Sequence, residues 1–265
     1  MNVTDAFERA RAEGRRVLVG YLPAGFPSYD GCVAALAAMV KAGVDVVEVG
    51  LPYSDPVMDG PIIQRAAERS LAQGTRTTDV LRTVEAVAEM GVPALCMTYW
   101  NPVSRYGVDR FAADLAGAGG AGLITPDLIP DEADDWLAAS DRHRLDRVFL
   151  VAPSSADARL ACTVAACRGF VYAASLMGVT GTREKTSEQG RALVARVREV
   201  TALPVGVGLG VSNGAQAAEV GGYADAVIVG SAFVRTLLDA ETPDAGVDAA
   251  ADLAADLASG VRSPG

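Results

Sequence analysis

Histidine is nearly absent from this chain of 265 residues: His143 stands alone, so neither a histidine-based nucleophile triad nor a multi-histidine metal site can be assembled within it. It sits in the polar run Asp141-Arg142-His143-Arg144 and is expected at the exposed surface. Lysine is almost as scarce, Lys41 and Lys185 being two among 23 basic residues. A Schiff-base mechanism needs a lysine deep at a strand end. Lys41 ends a helical stretch and Lys185 follows a glycine-rich loop, so neither suits that role. Positive charge is short overall, 23 Lys and Arg against 33 Asp and Glu for a net of −10, which argues against nucleic acid as a partner. No apolar run reaches the roughly 20 residues of a membrane span. The opening MNVTDAFERARAEGRR reads as an amphipathic helix over residues 1–14 rather than a signal peptide, and the cytoplasm is the expected compartment. Cys32, Cys96, Cys162 and Cys167 lie singly, without a CxxC, and are expected as reduced core residues. Proton chemistry therefore falls to carboxylates, tyrosines and backbone amides.

What the chain has in quantity is apolar surface, half of its residues, with only 21% charged. Eight short apolar, β-branched runs begin near Arg16, Asp45, Pro93, Gly122, Arg147, Gly169, Pro204 and Asp225. They are too apolar for one wet face, which implies a parallel sheet covered by helices. Ala-rich helical segments lie between them: Gly31 to Ala42, Thr77 to Met90, Val108 to Ala116, Glu132 to Ala139, Ala156 to Cys167 and Gln189 to Thr201. Eight such units in one domain-sized chain predict a single (β/α)8 barrel, the TIM barrel, over residues 1–265. Two connections exceed the repeat, Leu51 to Thr75 after the second strand and Met177 to Ser187 after the sixth, and both are expected as extended loops. The tail from Asp239 adds a final helix, with 260–265 expected to fray.

Alternation along Asp45 to Leu51 sets Val46, Glu48 and Gly50 on one face and Val47, Val49 and Leu51 on the other. The branched face suits the helix layer, which turns Glu48 into the barrel near its C-terminal mouth. A carboxyl held there among apolar walls has a raised pKa and can donate and accept protons near neutrality. A buried Glu paired with an Arg is the alternative. Eleven residues on, Pro52 to Pro61 brings Asp55 and Asp59 among turn formers, where an Asp can simply bond its own backbone. Glycines gather after strand six (Gly178, Gly181), strand seven (Gly206, Gly208, Gly210) and strand eight (Gly230-Ser231). Barrels commonly seat a phosphate between the last two of these loops, at the N-terminus of a short extra helix. Glycines that merely let the chain turn are the alternative. GxGxG at 206–210 is not the dinucleotide fingerprint, and GVTGTREKT lacks the spacing of a nucleotide loop. Acid–base chemistry without a metal, on a phosphorylated substrate, is the reading that remains.

The stretch Val47-Glu48-Val49-Gly50-Leu51-Pro52-Tyr53-Ser54-Asp55-Pro56-Val57-Met58-Asp59-Gly60-Pro61-Ile62-Ile63-Gln64 closely resembles the signature of the tryptophan synthase alpha chain family. Tyr172 to Gly181, Gly20 to Gly25, Tyr99-Trp100-Asn101-Pro102, Gly208-Leu209-Gly210 and Gly230-Ser231-Ala232 match it too, in order and spacing, over roughly residues 6 to 237. The resemblance implies retro-aldol cleavage of indole-3-glycerol phosphate to indole and glyceraldehyde 3-phosphate. It places Glu48 on the general acid/base, Asp59 on a partner carboxylate for the ring N–H, and Tyr172 beside Glu48. It puts the indole among Tyr21, Met97, Ile124 and Leu209, and the phosphate on amides of Gly181, Gly210, Gly230 and Ser231. Thr180 and Asp55 correspond to two loops expected to close over substrate and to meet a beta chain, which receives the indole and carries pyridoxal phosphate; this chain is expected to hold no cofactor and no metal. An α2β2 assembly is the implied state. Met58 and Leu176 depart from the family pattern, in positions that bear on loop packing and coupling rather than on a catalytic group. Two other readings stand beside this one: a barrel lyase or isomerase acting alone, and a catalytically silent subunit that activates a beta chain.

Overall fold

The structure is a computed structural model and describes residues 2–174, 183–208 and 210–263. Eight parallel strands close into a barrel in chain order: β1 (Val17–Pro23), β2 (Val46–Gly50), β3 (Ala94–Met97), β4 (Gly122–Thr125), β5 (Asp146–Val151), β6 (Val171–Ala174), β7 (Val205–Gly208) and β8 (Ala226–Val229), which pairs back onto β1. Helix α1 (Val3–Ala12) precedes the barrel and α2 (Tyr29–Ala42) follows β1. Two helices each follow β2, α3 (Pro61–Ala72) and α4 (Thr77–Glu89), and β3, α5 (Trp100–Tyr106) and α6 (Val108–Gly117). Single helices follow the next four strands: α7 (Asp134–His143), α8 (Asp157–Ala166), α9 (Arg183–Arg198) and α10 (Gly214–Gly221). After β8 come α11 (Ser231–Asp239) and α12 (Pro243–Arg262). This is the (β/α)8 barrel that the eight apolar runs predict.

Strand alternation sorts the core into two layers. Val17, Val19, Val46, Leu95, Ile124, Val148, Phe170, Ala226 and Ile228 fill the inside of the barrel. Leu18, Val47, Val49, Cys96, Leu123, Phe149, Val207 and Val229 face the helices instead. Helix α1 closes the N-terminal end of the barrel with Val3, Ala6, Phe7 and Ala10, its Phe7 ring 5.7 Å from that of Phe170. Its start is fixed by a capping box, Asn2 accepting from the Asp5 amide at 2.8 Å and Asp5 from the Asn2 amide at 3.3 Å.

The structure corrects several expectations. The connection after β2 is not one long loop, since α3 occupies Pro61–Ala72 and leaves only 51–60 open, with Pro61 at the first helical position, where a proline fits. The helix expected from Glu132 starts at Asp134, because Pro130–Glu132 makes a 3-10 turn first, and it runs on to His143. Residues 260–262, expected to fray, are the packed end of α12. Val261 is buried, its carbonyl accepts from the Arg16 amide at 3.0 Å, and a Cβ on Gly260 would lie 2.1 Å from the Gly214 carbonyl oxygen. Cys162 is exposed on α8, whereas the other three cysteines are buried. His143 is half-buried rather than free, its Nε2 lying 3.1 Å from Asp109 Oδ1. The interval Met177 to Ser187 after β6 lies mostly outside the described residues.

Candidate active site at the barrel mouth

Glu48 projects inward from β2, as the alternation requires, and is 1% exposed. Among the described residues no Arg pairs with it, and its Oε1 is buried without a hydrogen-bond partner. Burial therefore disfavours the charged form unopposed and pushes its pKa up to about 8. Two phenols lie near it. Tyr21 pairs with Glu48 across β1–β2, and Tyr172 rises from β6, within the interior cluster. Both hydroxyls are held well above their ordinary pKa, by burial first; the Asp59 and Glu48 charges add to the effect on Tyr21, and Glu48 adds to it on Tyr172. Two glycines make the room. A Cβ at Gly50 would sit 2.4 Å from the Tyr21 hydroxyl, and one at Gly208 2.7 Å from that of Tyr172.

Asp59, on the stretch between β2 and α3, reaches the same mouth. Tyr21, Met97 and Asp59 line one small cavity of about 20 Å³ together with Leu51, Thr98 and Tyr99. Burial raises the Asp59 pKa, and a hydrogen bond from the Tyr99 side chain opposes the rise. The Tyr99 oxygen in turn accepts from the Met58 amide at 2.9 Å, leaving its own proton for Asp59. Tyr53 stacks on Tyr99 with ring centroids 5.3 Å apart, and its hydroxyl accepts from Asn101 Nδ2 at 3.0 Å. In the sequence Tyr99 stands out only as part of the Tyr99-Trp100-Asn101-Pro102 motif, because its clamp on the Asp59 loop spans 41 positions. Ile124 is wholly buried in the barrel interior, packed with Met97 and Tyr172, and does not line the Asp59 cavity. Asp55 is exposed and accepts from the Ser54 hydroxyl at 2.6 Å.

Beside Tyr21, at the end of the neighbouring strand β8, Gly230 caps α11 and Ser231 is its first residue, so the free amides of that turn point out of the mouth side of β8. Gly210 has a φ of 65°, in the left-handed region that suits glycine, and lines a cavity of about 630 Å³ together with Ser231. Thr180, Gly181, Leu209 and Leu176 lie outside the described residues. Among the described residues, no three His, Cys, Asp or Glu side chains gather to hold a metal ion.

A closed parallel barrel with a buried, unpaired carboxyl at its C-terminal mouth has the architecture of the barrel enzymes, which keep their active sites at that face. Known proteins narrow this. Residues 7–262 match the family pattern described as tryptophan synthase alpha chain. The tryptophan synthase alpha chain of Salinispora arenicola is 66% identical over 259 residues, covering 98% of this chain and 97% of its own. That of Thermobifida fusca is 62% identical over 257 residues, 96% of this chain and 95% of its own. A solved structure of Mycobacterium tuberculosis tryptophan synthase superposes with a TM-score of 0.91 at 57% identity, over 98% of both chains. The chain belongs to the tryptophan synthase alpha chain family. It is a carbon–carbon lyase of tryptophan biosynthesis, a family whose reaction is the cleavage of indole-3-glycerol phosphate and whose members work with a beta chain. No described helix is long and apolar enough to cross a membrane.

Proposed function

We propose that Glu48 is the acid and base of this cleavage, Asp59 its electrostatic partner, and Tyr172 a residue that orients Glu48 or the substrate. The observation that carries the reading is the unpartnered burial of Glu48, which keeps its proton in place at neutral pH. That proton goes to the indole C3, which makes the bond from C3 to the glycerol carbon breakable and puts positive charge on the ring. Asp59, whose charged form is opposed by burial and favoured by the Tyr99 hydroxyl, accepts the ring N–H and offsets that charge. As the bond breaks, the Glu48 carboxylate takes the proton of the glycerol hydroxyl, whose oxygen becomes the aldehyde. The proton is shuttled, not consumed. The two acids divide the work because Glu48 Oε1 is buried without a hydrogen bond, whereas Asp59 is offered one by the Tyr99 phenol.

Tyr21 and Met97 suit the indole wall, with Ile124 supporting them from beneath and Leu209 completing the pocket. The phosphate is assigned to amides of Gly181, Gly210, Gly230 and Ser231, with the Ser231 hydroxyl as a further donor. Thr180 and Asp55 belong to the loops over the substrate and toward the beta chain. Pyridoxal phosphate is assigned to that beta chain and no cofactor to this one: Lys41 stands exposed at the end of α2, far in character from a strand-end imine lysine. An α2β2 assembly in the cytoplasm completes the reading.

Release of glyceraldehyde 3-phosphate from indole-3-glycerol phosphate, with and without a beta chain, tests it. Slow release alone that rises strongly with the partner is expected. Fast release alone points to an independent lyase, and none under either condition to a silent subunit. Glu48→Gln is expected to abolish turnover while substrate still binds.

A further inference from the structure

Ser231 opens α11 and Arg235 stands one turn further on, so the two share a helix face with Cβ atoms about 6 Å apart. Helical side chains lean toward the N-terminus of their helix, which directs the Arg235 stem back toward Ser231. The outcome is visible in the cavity of about 630 Å³, whose wall includes Gly210, Ser212, Ser231 and Arg235. Arg235 supplies the one positive charge among the described residues of that wall, and Asp239, a turn further from Ser231, the one negative charge. No described carboxylate lies within ion-pair distance of Arg235, whereas Arg147 and Arg168 at the barrel's other end both pair with Asp141. Arg235 is exposed, and it lines the same cavity as Ser231, the first residue of the turn that presents the free amides.

We propose that Arg235 is the countercharge for the substrate's phosphate, a specificity-determining residue that favours phosphorylated over unphosphorylated ligands. The inference rests on the reading of those amides as the phosphate site. Backbone amides and a helix N-terminus supply partial charge only, roughly half a unit, whereas a phosphate monoester brings nearly two negative charges to a chain whose net charge is −10. A local cation at the rim counters that repulsion and speeds encounter. The phosphate does not change charge during carbon–carbon cleavage, so Arg235 binds ground and transition states alike. Its loss is felt in KM and not in kcat.

The test uses the full chain with a beta chain, and compares wild type with Arg235→Gln and Arg235→Lys. Arg235→Gln is expected to raise the KM for indole-3-glycerol phosphate about fivefold, the upper range for an exposed charge pair, with kcat within about twofold. It should weaken inhibition by glycerol 3-phosphate by the same factor, flatten the salt dependence of kcat/KM, and leave inhibition by indole unchanged; Arg235→Lys should restore most of the loss. An unchanged KM with unchanged glycerol 3-phosphate inhibition overturns the proposal, as does an equal weakening of indole inhibition, which marks a general disturbance of the mouth. Glycerol 3-phosphate binding measured directly by calorimetry keeps the two readings apart. Absent cleavage by the wild type refutes the proposed function, while equal glycerol 3-phosphate affinity in wild type and Arg235→Gln refutes the role of Arg235.

Discussion

Replacing Glu48 with Gln should make the protein more stable at alkaline pH even as it removes activity. The carboxyl has an ordinary value of 4.5 and is raised to about 8 by burial without a partner. Below pH 4.5 both folded and unfolded chains carry the proton and folding loses nothing. Between 4.5 and about 8 the unfolded chain is ionised while the folded one still holds its proton, so stability falls as pH rises. Above about 8 both are ionised and the full penalty is present. At about 1.4 kcal/mol per decade of proton affinity, the span from 4.5 to about 8 amounts to about 5 kcal/mol. Gln cannot ionise, so the variant lacks this slope. Urea unfolding followed by fluorescence of the buried Trp136, at intervals from pH 5 to 9, should show the stability of Glu48→Gln relative to wild type climbing by about 4 kcal/mol up to pH 8 and then levelling. Because every other group titrates in both proteins, the difference isolates Glu48. A flat difference across that range, or one that moves in favour of the wild type, would refute the picture of an unpaired buried carboxyl. The same protonation governs turnover: kcat should decline above about pH 8 as Glu48 loses the proton it must donate.

Asp59→Asn keeps the shape and removes the charge, and should lower kcat on the order of 100- to 1000-fold, read by glyceraldehyde 3-phosphate release. Tyr99→Phe removes the phenol that holds the Asp59 pKa down, so the acid limb of the pH profile should move to higher pH, with an unchanged limb refuting the contact. Gly208→Ala drives a Cβ to 2.7 Å from the Tyr172 hydroxyl. Displacement of that ring should reduce kcat on the order of 10- to 100-fold, with circular dichroism confirming an intact fold. Gly260→Ala sets a Cβ 2.1 Å from the Gly214 carbonyl where α12 crosses α10, and should cost about 1–3 kcal/mol in urea unfolding with little effect on KM.

The barrel was readable because its strands are short, β-branched and apolar on both faces, and each observed strand begins within about two residues of its expected start. Glu48 was readable for the same reason: a charged residue at an inward position of a buried strand is conspicuous against Val46 and Gly50. What escaped depends on approach between distant segments or on a face not drawn out. The end of α12 looked like a fraying Gly-Ser-Pro tail, yet Gly260 is the residue that lets it touch Gly214, 46 positions earlier. The orientation of Cys162 was within reach, since Leu160, Thr163, Val164 and Cys167 are buried at helical spacing and leave it outside. Arg235 was likewise signalled by its four-residue offset from Ser231.

The two carboxylates show where pattern stops and geometry begins. From sequence, Glu48 and Asp59 are acids eleven positions apart, and nothing in their spacing says which should keep its proton. In the fold, Glu48 is enclosed by barrel walls with no donor for Oε1, while Asp59 sits on an open stretch where the Tyr99 hydroxyl reaches it. Desolvation raises both, but only Asp59 has a neighbour that stabilises its charge. The proposed protonation of an indole ring needs both features at one mouth, a proton held on Glu48 and a charge on Asp59 that the Tyr99 hydroxyl favours. On the proposed mechanism, the Tyr99 clamp, a phenol on the segment after β3 holding the loop after β2, is as much a condition of the chemistry as the two acids themselves.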